Sequence, residues 1–177
     1  QMVGIFFWNY FCSFMRMKKL FTIAFLLFCF TVSFAEDKGI HFPTFSLLKV
    51  DSSSYLTNKD LKDSVNTVFI NFSPTCEHCE RTIKSILSNI TKFTETQFVL
   101  SSFEDFASIR KFYFDNGLNA FTNVFIGQET DYSLTSQIKY TSVPCLIFFN
   151  KDKKYIKKIE QESNAKEILK ALNIKTK

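Results

Sequence analysis

Two cysteines separated by two residues, Cys76 and Cys79, lie at the junction between two different hydrophobic patterns. Residues 67–72, just before them, form a compact apolar and β-branched run, which predicts a buried strand. Apolar residues then recur three and four positions apart over residues 83–90, which predicts one buried face of an α-helix. The sequence therefore places both cysteines where a core strand gives way to the first turn of a helix.

That position favours thiol chemistry. A helix N-terminus presents unpaired backbone N–H groups and the positive end of the helix dipole, and both favour a thiolate over a thiol. The two-residue spacing lets one sulfur reach the other, so a mixed disulfide formed on the first can be resolved by the second. We therefore assign Cys76 as the exposed attacking thiolate and Cys79 as the more buried resolving thiol.

A second motif, Thr-Ser-Val-Pro at residues 141–144, precedes another apolar strand pattern. The strand, the Cys-Glu-His-Cys sequence, the helix and this later proline together resemble the thioredoxin superfamily, from about residue 42 to the C-terminus. In that family the second motif is a cis-proline loop that faces the cysteine pair. The resemblance implies that Pro144 is this proline and that the backbone of Val143 pairs with a bound substrate chain.

The order of the predicted elements suits the same family. A β-hairpin over residues 42–56 precedes the cysteine motif, and a strand, a helix and a second strand follow it over residues 97–126. A short helix at 131–139, a hairpin at 144–159 and a final helix at 164–172 complete the pattern. We expect an α/β thioredoxin fold, in which a central mixed β-sheet flanked by helices carries an N-terminal β-hairpin and a strand–helix insert.

The leading hairpin and the long interval between Cys79 and Pro144 resemble the TlpA/ResA type of envelope thioredoxin and its redoxin relatives. Two positions depart from the pattern of thioredoxin itself. Thr75 stands where thioredoxin has an aromatic residue, and Ile70 stands where it has a buried acid. Glu80 is the nearby carboxylate that we consider as a substitute for that acid in the proton relay, and a solvated helix residue is the alternative.

The two residues between the cysteines predict opposite effects on the redox pair. A protonated His78 would stabilise the Cys76 thiolate and so make the pair more oxidising, as in DsbA-type oxidases. The carboxylate of Glu77 would disfavour that thiolate, and a Cys-Glu start resembles some reducing cytochrome-maturation thioredoxins. We predict that His78 and Glu77 tune the redox pair; the alternative is that both are merely exposed residues at a helix start.

Cys145 directly follows the proline motif and is a candidate third thiol. The alternative is a small hydrophobic residue buried in a core strand, which is how free cysteine usually behaves. A zinc site would have to add two ligands to Cys76 and Cys79 from Cys145, His78 and His41, and no second Cys-x-x-Cys occurs. We therefore expect neither a metal nor a cofactor.

The N-terminal segment has the pattern of a targeting signal. Residues 17–19 supply a short basic start, residues 20–34 are predominantly apolar, and small residues stand at Ser33 and Ala35. This pattern predicts a secretory signal cleaved after Ala35. The alternative is an uncleaved membrane anchor formed by residues 17–35, although the apolar core is shorter than the roughly 20 residues of a spanning helix.

These patterns divide the chain into two parts. Residues 1–35 form an N-terminal extension plus the signal or anchor, and residues 36–177 form one thioredoxin-like domain. An exported Cys-x-x-Cys pair in an oxidising compartment is expected to be a redox couple. We therefore expect the domain in the bacterial periplasm or cell envelope, where residues 17–35 would serve as a tether if they are not removed.

The chain carries 22 Lys and Arg residues against 17 Asp and Glu residues. Because Arg16, Lys18 and Lys19 lie before residue 36, the net charge of the remaining chain is nearly balanced and gives no reason to expect nucleic-acid binding. The sequence predicts a thiol–disulfide oxidoreductase that acts on substrate proteins with disulfides or thiols and is recycled by a membrane or envelope redox partner. The alternative is a thioredoxin-fold binding or chaperone-like module with non-catalytic cysteines.

Overall fold

A computed structural model describes residues 39–174 of the chain. The strands, in chain order, are β1 (Ser46–Lys49), β2 (Tyr55–Thr57), β3 (Asn66–Asn71), β4 (Thr96–Ser102), β5 (Val124–Glu129), β6 (Cys145–Phe149) and β7 (Tyr155–Ile159). The helices are α1 (Glu77–Leu87), α2 (Phe106–Asp115) and α3 (Ala165–Ala171). None of the helices in this part of the chain is long and apolar enough to cross a membrane. The predicted signal or anchor at residues 17–35 lies outside the described residues.

The strands form one mixed sheet in the order β2-β1-β5-β4-β3-β6-β7. Strand β3 pairs in parallel with β4 on one side and antiparallel with β6 on the other. Every residue of β3 and of β4 is buried, which explains why the central residues of both strands are consecutive apolar residues rather than alternating ones. The carboxyl end of β3, at the centre of the sheet, leads directly into the cysteine turn.

All three α-helices pack against one face of the sheet. Successive residues of a strand point to opposite faces of the sheet, so only alternate strand residues face these helices. Val68 and Ile70 of β3 lie on the helical face, and Phe69 lies on the other. The helices contribute to this core, the helical core, through side chains spaced three positions apart: Ile83 and Ile86 of α1, Ile109 and Phe112 of α2, and Ala165 and Ile168 of α3. The periodic faces predicted from the sequence are therefore the faces that are buried.

Within residues 39–174, no α-helix packs on the second face of the sheet. Phe69 lies at its centre, with ring centroids 5.4 Å from Phe42, 5.4 Å from Phe45 and 5.8 Å from Phe149. The apolar side chains of the segment between β5 and β6, Leu134 and Ile138, complete this second core. The segment before β1 and the segment before the proline motif thus substitute for helices on this face.

Most of the predicted elements are confirmed, including the β1–β2 hairpin, the β6–β7 hairpin and the final helix. The predicted helix at residues 131–139 is wrong, since this segment forms a series of turns. The carboxylate of Glu129 accepts hydrogen bonds from the backbone N–H groups of Leu134 and Thr135, at 2.6 and 2.7 Å. Tyr132 has a left-handed φ of 54°, which no regular helix accommodates.

Gly127 in β5 allows a close approach that sequence analysis did not anticipate. A Cβ atom at this position would lie 2.7 Å from the Cβ of Leu47 and 2.8 Å from the carbonyl oxygen of Leu48. Gly127 is the register partner of Lys49 in β1. The absence of a side chain therefore lets the N-terminal hairpin join the inner strands of the sheet.

We predict that Phe69→Ala lowers the free energy of unfolding by about 3–5 kcal/mol, because the ring is fully buried among three other rings. Urea denaturation followed by circular dichroism measures this change. Phe114→Ala is the matched control, because Phe114 is 55% exposed. This substitution should lower the free energy of unfolding by less than about 1 kcal/mol. Equal losses for the two variants would contradict the predicted second core.

Candidate functional site

Cys76 occupies the N-cap position of α1, where its backbone is extended, with φ −89° and ψ 112°. The Cys76 sulfur accepts a hydrogen bond from the backbone N–H of Cys79 at 3.3 Å. The backbone N–H of Cys76 in turn donates to the carbonyl oxygen of Ser73 at 3.1 Å, which closes the turn after β3. The half-buried Cys76 sulfur therefore caps the helix, and the N–H that Cys79 donates stabilises negative charge on this sulfur.

Cys79 is in a different environment from Cys76, although both lie on the same turn. Its side chain is fully buried in the helical core. Burial, together with a hydrogen bond between the two sulfurs, raises the pKa of the Cys79 thiol to about 12. At neutral pH Cys79 is thus a thiol, whereas Cys76 has access to solvent and lies at the helix N-terminus. The two sulfurs are consequently unequal before any substrate arrives.

The proline motif lies directly against this cysteine. The Val143–Pro144 peptide bond is cis, as the resemblance to the thioredoxin superfamily implies. The Cys76 thiol contacts the carbonyl oxygen of Val143, with 4.0 Å between sulfur and oxygen. Pro144 is buried, and Val143 packs at the edge of the helical core. Two motifs far apart in the sequence therefore meet at one sulfur.

Glu160 holds the loop that carries Val143. Its carboxylate accepts hydrogen bonds from the backbone N–H and the hydroxyl of Thr141, at 2.8 and 2.6 Å, and its carbonyl oxygen accepts one from the Ser142 hydroxyl at 3.1 Å. It also pairs with Lys158. The bond from Lys158, followed by those from Thr141, lowers the pKa of Glu160 to about 2. The carboxylate is therefore ionised at any physiological pH and holds the loop continuously.

His78 and Glu77 belong to an ion network on the surface of α1. The Nδ1 atom of His78 lies 2.6 Å from a carboxylate oxygen of Glu162, and Arg81 contacts both residues at 2.8 Å. Glu77 is 3.4 Å from Arg81. Hydrogen bonds from Arg81 and His78 lower the pKa of Glu162 to about 2. His78 and Glu77 thus contact charged neighbours that the tuning hypothesis did not include.

Of those neighbours, only Arg81 had a signal in the sequence. It lies four positions after Glu77, the spacing at which opposite charges meet on one helix face. Glu162 is 84 positions from His78, so neither periodicity nor spacing could have identified it. Tuning of the redox pair by Glu77 and His78 stays a prediction.

Neither of the two positions considered for the proton relay, 70 and 80, supplies a carboxylate beside Cys79. Ile70 is fully buried in the helical core. Glu80 forms an ion pair with Lys84 at 2.7 Å on the exposed side of α1, which favours the alternative of a solvated helix residue. A carboxylate that sequence analysis missed, Glu104, lies instead on the other side of the cysteine turn, where it accepts a hydrogen bond from the Ser73 hydroxyl at 3.2 Å.

Cys145 points away from the cysteine pair. It pairs with Asn71 across β3 and β6 and belongs to the second core, whereas Leu146, the next residue, lies with Cys79 in the helical core. Burial raises the pKa of the Cys145 thiol to about 12. The structure therefore favours the alternative that was stated for this residue, a small hydrophobic side chain in a core strand.

The ligands that a zinc site would need are not brought together. Cys145 lies on the opposite face of the sheet from Cys79, and His41 is exposed near the start of the described segment. Across residues 39–174, no group of three or more His, Cys, Asp and Glu side chains is arranged to hold a metal ion.

Comparison with models of known protein families gives no match, and comparison with curated proteins gives none either. Solved structures do match. A thiol:disulfide interchange protein of the thioredoxin family from Chlorobium tepidum TLS has a TM-score of 0.63 at 14% identity, with 78% of this chain and 97% of that chain covered.

Two further structures give similar values. A secreted Mycobacterium tuberculosis disulfide oxidoreductase has a TM-score of 0.58 at 15% identity, covering 72% of this chain and 92% of that one. StoA from Bacillus subtilis has a TM-score of 0.56 at 10% identity, covering 72% and 95%. At these identities the likeness concerns the fold alone, and it confirms the fold class predicted from the sequence.

We predict that iodoacetamide at pH 7.5 labels Cys76 in the folded, reduced protein at least about ten times faster than Cys79 or Cys145. Of the three cysteines within residues 39–174, only Cys76 is accessible, and the other two thiols are protonated. Peptide mapping by mass spectrometry identifies the labelled residue. In denaturant all three should react alike, which serves as the control. Equal rates for Cys76 and Cys79 in the folded protein would contradict the proposed asymmetry.

We predict that Glu160→Gln destabilises the protein at neutral pH and that this difference disappears in acid. Because the pKa of Glu160 is lowered from 4.5 to about 2, the stabilisation by its carboxylate is complete above pH 4.5 and is lost as the pH falls towards 2. Urea unfolding of both proteins at several pH values in this range measures the change. Glu95→Gln, which removes an exposed pair with Lys151, is the control, and a pH-independent difference for Glu160→Gln would contradict the assignment.

Proposed function

We propose that this protein, which has the thioredoxin fold, is a thiol–disulfide oxidoreductase in which Cys76 attacks and Cys79 resolves. One observation carries the proposal: a half-buried sulfur at a helix N-terminus accepts the N–H of a fully buried second cysteine and touches the carbonyl oxygen of Val143. The carboxyl end of the central strand, the first turn of α1 and the proline loop all converge on this sulfur.

The reaction that these groups perform is an exchange of disulfides. The Cys76 thiolate attacks one sulfur of a substrate disulfide, the substrate S–S bond breaks, and the leaving thiolate takes up a proton. Cys79 then loses its proton, and its thiolate attacks the Cys76 sulfur of the mixed disulfide. A Cys76–Cys79 disulfide forms and the second substrate thiolate leaves and is protonated. Two electrons pass from the protein to the substrate, and no cofactor takes part.

The unequal surroundings of the two sulfurs set the order of these steps. The N–H of Cys79 stabilises charge on Cys76 from the outset. Burial keeps Cys79 protonated, so it does not compete for the substrate. Once Cys76 is bonded to the substrate, its sulfur is no longer a thiolate that accepts a hydrogen bond from the Cys79 thiol and places a negative charge beside Cys79, which removes two of the causes that raise the Cys79 pKa. Resolution therefore follows attack.

Val143 and Pro144 supply the surface that holds the substrate chain. The Val143 carbonyl oxygen lies 4.0 Å from the attacking sulfur, so an extended substrate backbone paired with Val143 keeps its own cysteine within reach of Cys76. Glu160, through Thr141 and Ser142, fixes this loop in place. Pairing through the backbone suits an enzyme that accepts several protein substrates, because backbone atoms are common to all of them.

We place the reaction outside the cytoplasm. The leader at residues 17–35 supports export to the bacterial periplasm or cell envelope, either as a cleaved signal or as a membrane tether. The structurally similar Mycobacterium tuberculosis oxidoreductase is described as secreted, which is consistent with this placement. An envelope enzyme of this kind needs a membrane or envelope redox partner that restores the Cys76–Cys79 pair after each cycle.

We predict that Cys79→Ser accumulates mixed disulfides through Cys76, because attack proceeds and resolution does not. Cys76→Ser should form none, and Cys145→Ser, which changes a thiol in the other core, is the matched control and should behave as the unmodified protein does. Non-reducing electrophoresis after incubation with a disulfide-containing protein shows the adducts. Equal adduct formation by Cys76→Ser and Cys79→Ser would contradict the assigned roles.

The reduction potential of the Cys76–Cys79 couple then decides the direction of electron flow. Equilibration against glutathione or dithiothreitol should give a value between about −270 mV, typical of a reductase such as thioredoxin, and about −120 mV, typical of an oxidase such as DsbA. The complete absence of a reversible couple would favour the alternative, a binding or chaperone-like module whose cysteines are not catalytic.

A further inference from the structure

Two aromatic side chains are exposed beside the cysteine turn, at the ends of neighbouring strands. Phe103 follows β4, Tyr132 lies just beyond β5, and they are 50% and 57% exposed. Their ring centroids are 6.1 Å apart, so they form one continuous surface. Contiguous exposed apolar surface rimmed by polar residues is typical of places where a partner binds.

This aromatic pair is connected to the reactive cysteine. Glu104, the residue after Phe103, accepts a hydrogen bond from the Ser73 hydroxyl at 3.2 Å. The carbonyl oxygen of Ser73 accepts the backbone N–H of Cys76. Gln128 at the end of β5 donates to the carbonyl oxygen of Glu104 at 2.9 Å, which ties the same loop to the strand that leads to Tyr132. The surface is thus continuous with the site.

The same surface carries acidic charge without cations to balance it. Glu104, Asp105 and Asp131 adjoin the two rings in the sequence, and none of them belongs to an ion pair among the described residues. The chain contains no Lys or Arg at residues 93–109 or 112–138. By contrast, the carboxylates around α1 and the proline loop are all paired with Arg or Lys.

The three carboxylates are fixed by hydrogen bonds to groups without charge. Asp105 caps α2 by accepting the Ser108 N–H at 2.9 Å, and hydrogen bonds from Ser108 lower its pKa. Asp131 accepts the Ser133 N–H at 3.0 Å. Such bonds hold a carboxylate in place and leave its negative charge available to a partner.

We propose that this acidic aromatic patch, formed by Phe103, Glu104, Asp105, Asp131 and Tyr132, selects substrate chains that carry an apolar side chain next to Lys or Arg within a few residues of their disulfide. The inference rests on the proposed function and adds a substrate class to it. The apolar side chain packs against the two rings, and the cation lies among the three carboxylates and over an aromatic face.

The selection arises from complementary charge. Opposite charges accelerate encounter and like charges oppose it, most strongly at low ionic strength. Strands β4 and β5 follow β3 in the sheet, so the patch lies beside the end of β3 that leads to Cys76. Substrate residues near the cysteine that is bonded to Cys76 are therefore the ones that meet it. On the far side of the site, Arg81 and Glu162 pair with each other, so this side gives no comparable selection by charge.

The test uses the reduced full chain and three disulfide-bonded peptides. Each peptide has a phenylalanine near one cysteine and two variable positions beside that phenylalanine. These two positions are both Lys in the first peptide, both Gln in the second and both Glu in the third. We expect second-order rates of reduction in the order Lys, Gln, Glu, with about a tenfold difference between the extremes at low salt and less at high salt. Equal rates for the three peptides would overturn the inference.

Variants locate the effect. In the triple variant E104Q/D105N/D131N the ratio of the rate for the Lys peptide to the rate for the Glu peptide should fall towards one. D131N alone should lower this ratio in part, and Asp131 lies in the loop after β5, which makes no hydrogen bond to Ser73. Asn at position 105 retains the helix cap. Glu95→Gln is the matched control, because Glu95 lies at the other end of β4 from Glu104, and it should leave the ratio unchanged. An unchanged ratio in the triple variant would also overturn the inference.

A small uncharged disulfide, 2-hydroxyethyl disulfide, separates this inference from the proposed function. If the unmodified protein fails to reduce it and the peptides alike, the oxidoreductase proposal fails and the inference with it. If it reduces the small disulfide and treats the three peptides equally, only the substrate class is wrong. Replacing the peptide phenylalanine by Ser tests the aromatic part, since the rate should fall for the unmodified protein and change little for the variant Phe103→Ser.

Discussion

The hydrogen bond from the Cys79 amide to the Cys76 sulfur joins the fold to the chemistry. A helix that starts at the end of a central strand must satisfy its first N–H groups, and here a sulfur does so. The reactive atom is therefore also the cap of α1. Anything that fixes β3 and α1, including the complete burial of β3, also fixes the position of that sulfur relative to Val143.

The sheet gives the three cysteines of the described domain different positions and different surroundings. Alternation along a strand sends Cys145 into the second core and Leu146 into the helical core with Cys79. The helical core therefore contains a buried thiol next to a solvent-accessible one, which is the asymmetry that ordered exchange needs. The other core contains a thiol that burial keeps protonated and that no partner sulfur approaches.

Carboxylates, rather than regular secondary structure, hold the irregular segments around the site. Glu129 binds the N–H groups of the turns before the proline motif, and Glu160 binds Thr141 within it. Glu104 links the loop after β4 to the cysteine turn. Each carboxylate accepts hydrogen bonds from backbone N–H or hydroxyl groups that are not bonded within a helix or a β-sheet. This arrangement explains why the segment covering the second face needs no α-helix.

The sequence by itself determined the local features: the core strand before the cysteines, the helix that Cys76 caps, the proline loop and the β6–β7 hairpin. These depend on periodicity, capping and motifs within a few residues, which a single chain displays. Only the tertiary structure decided that His78 meets Glu162, 84 positions away, and that Ser73 meets Glu104, 31 positions away. Such contacts join separate loops at one end of the sheet, and they have no repeating pattern in the sequence, because the paired strands alone bring those loops together.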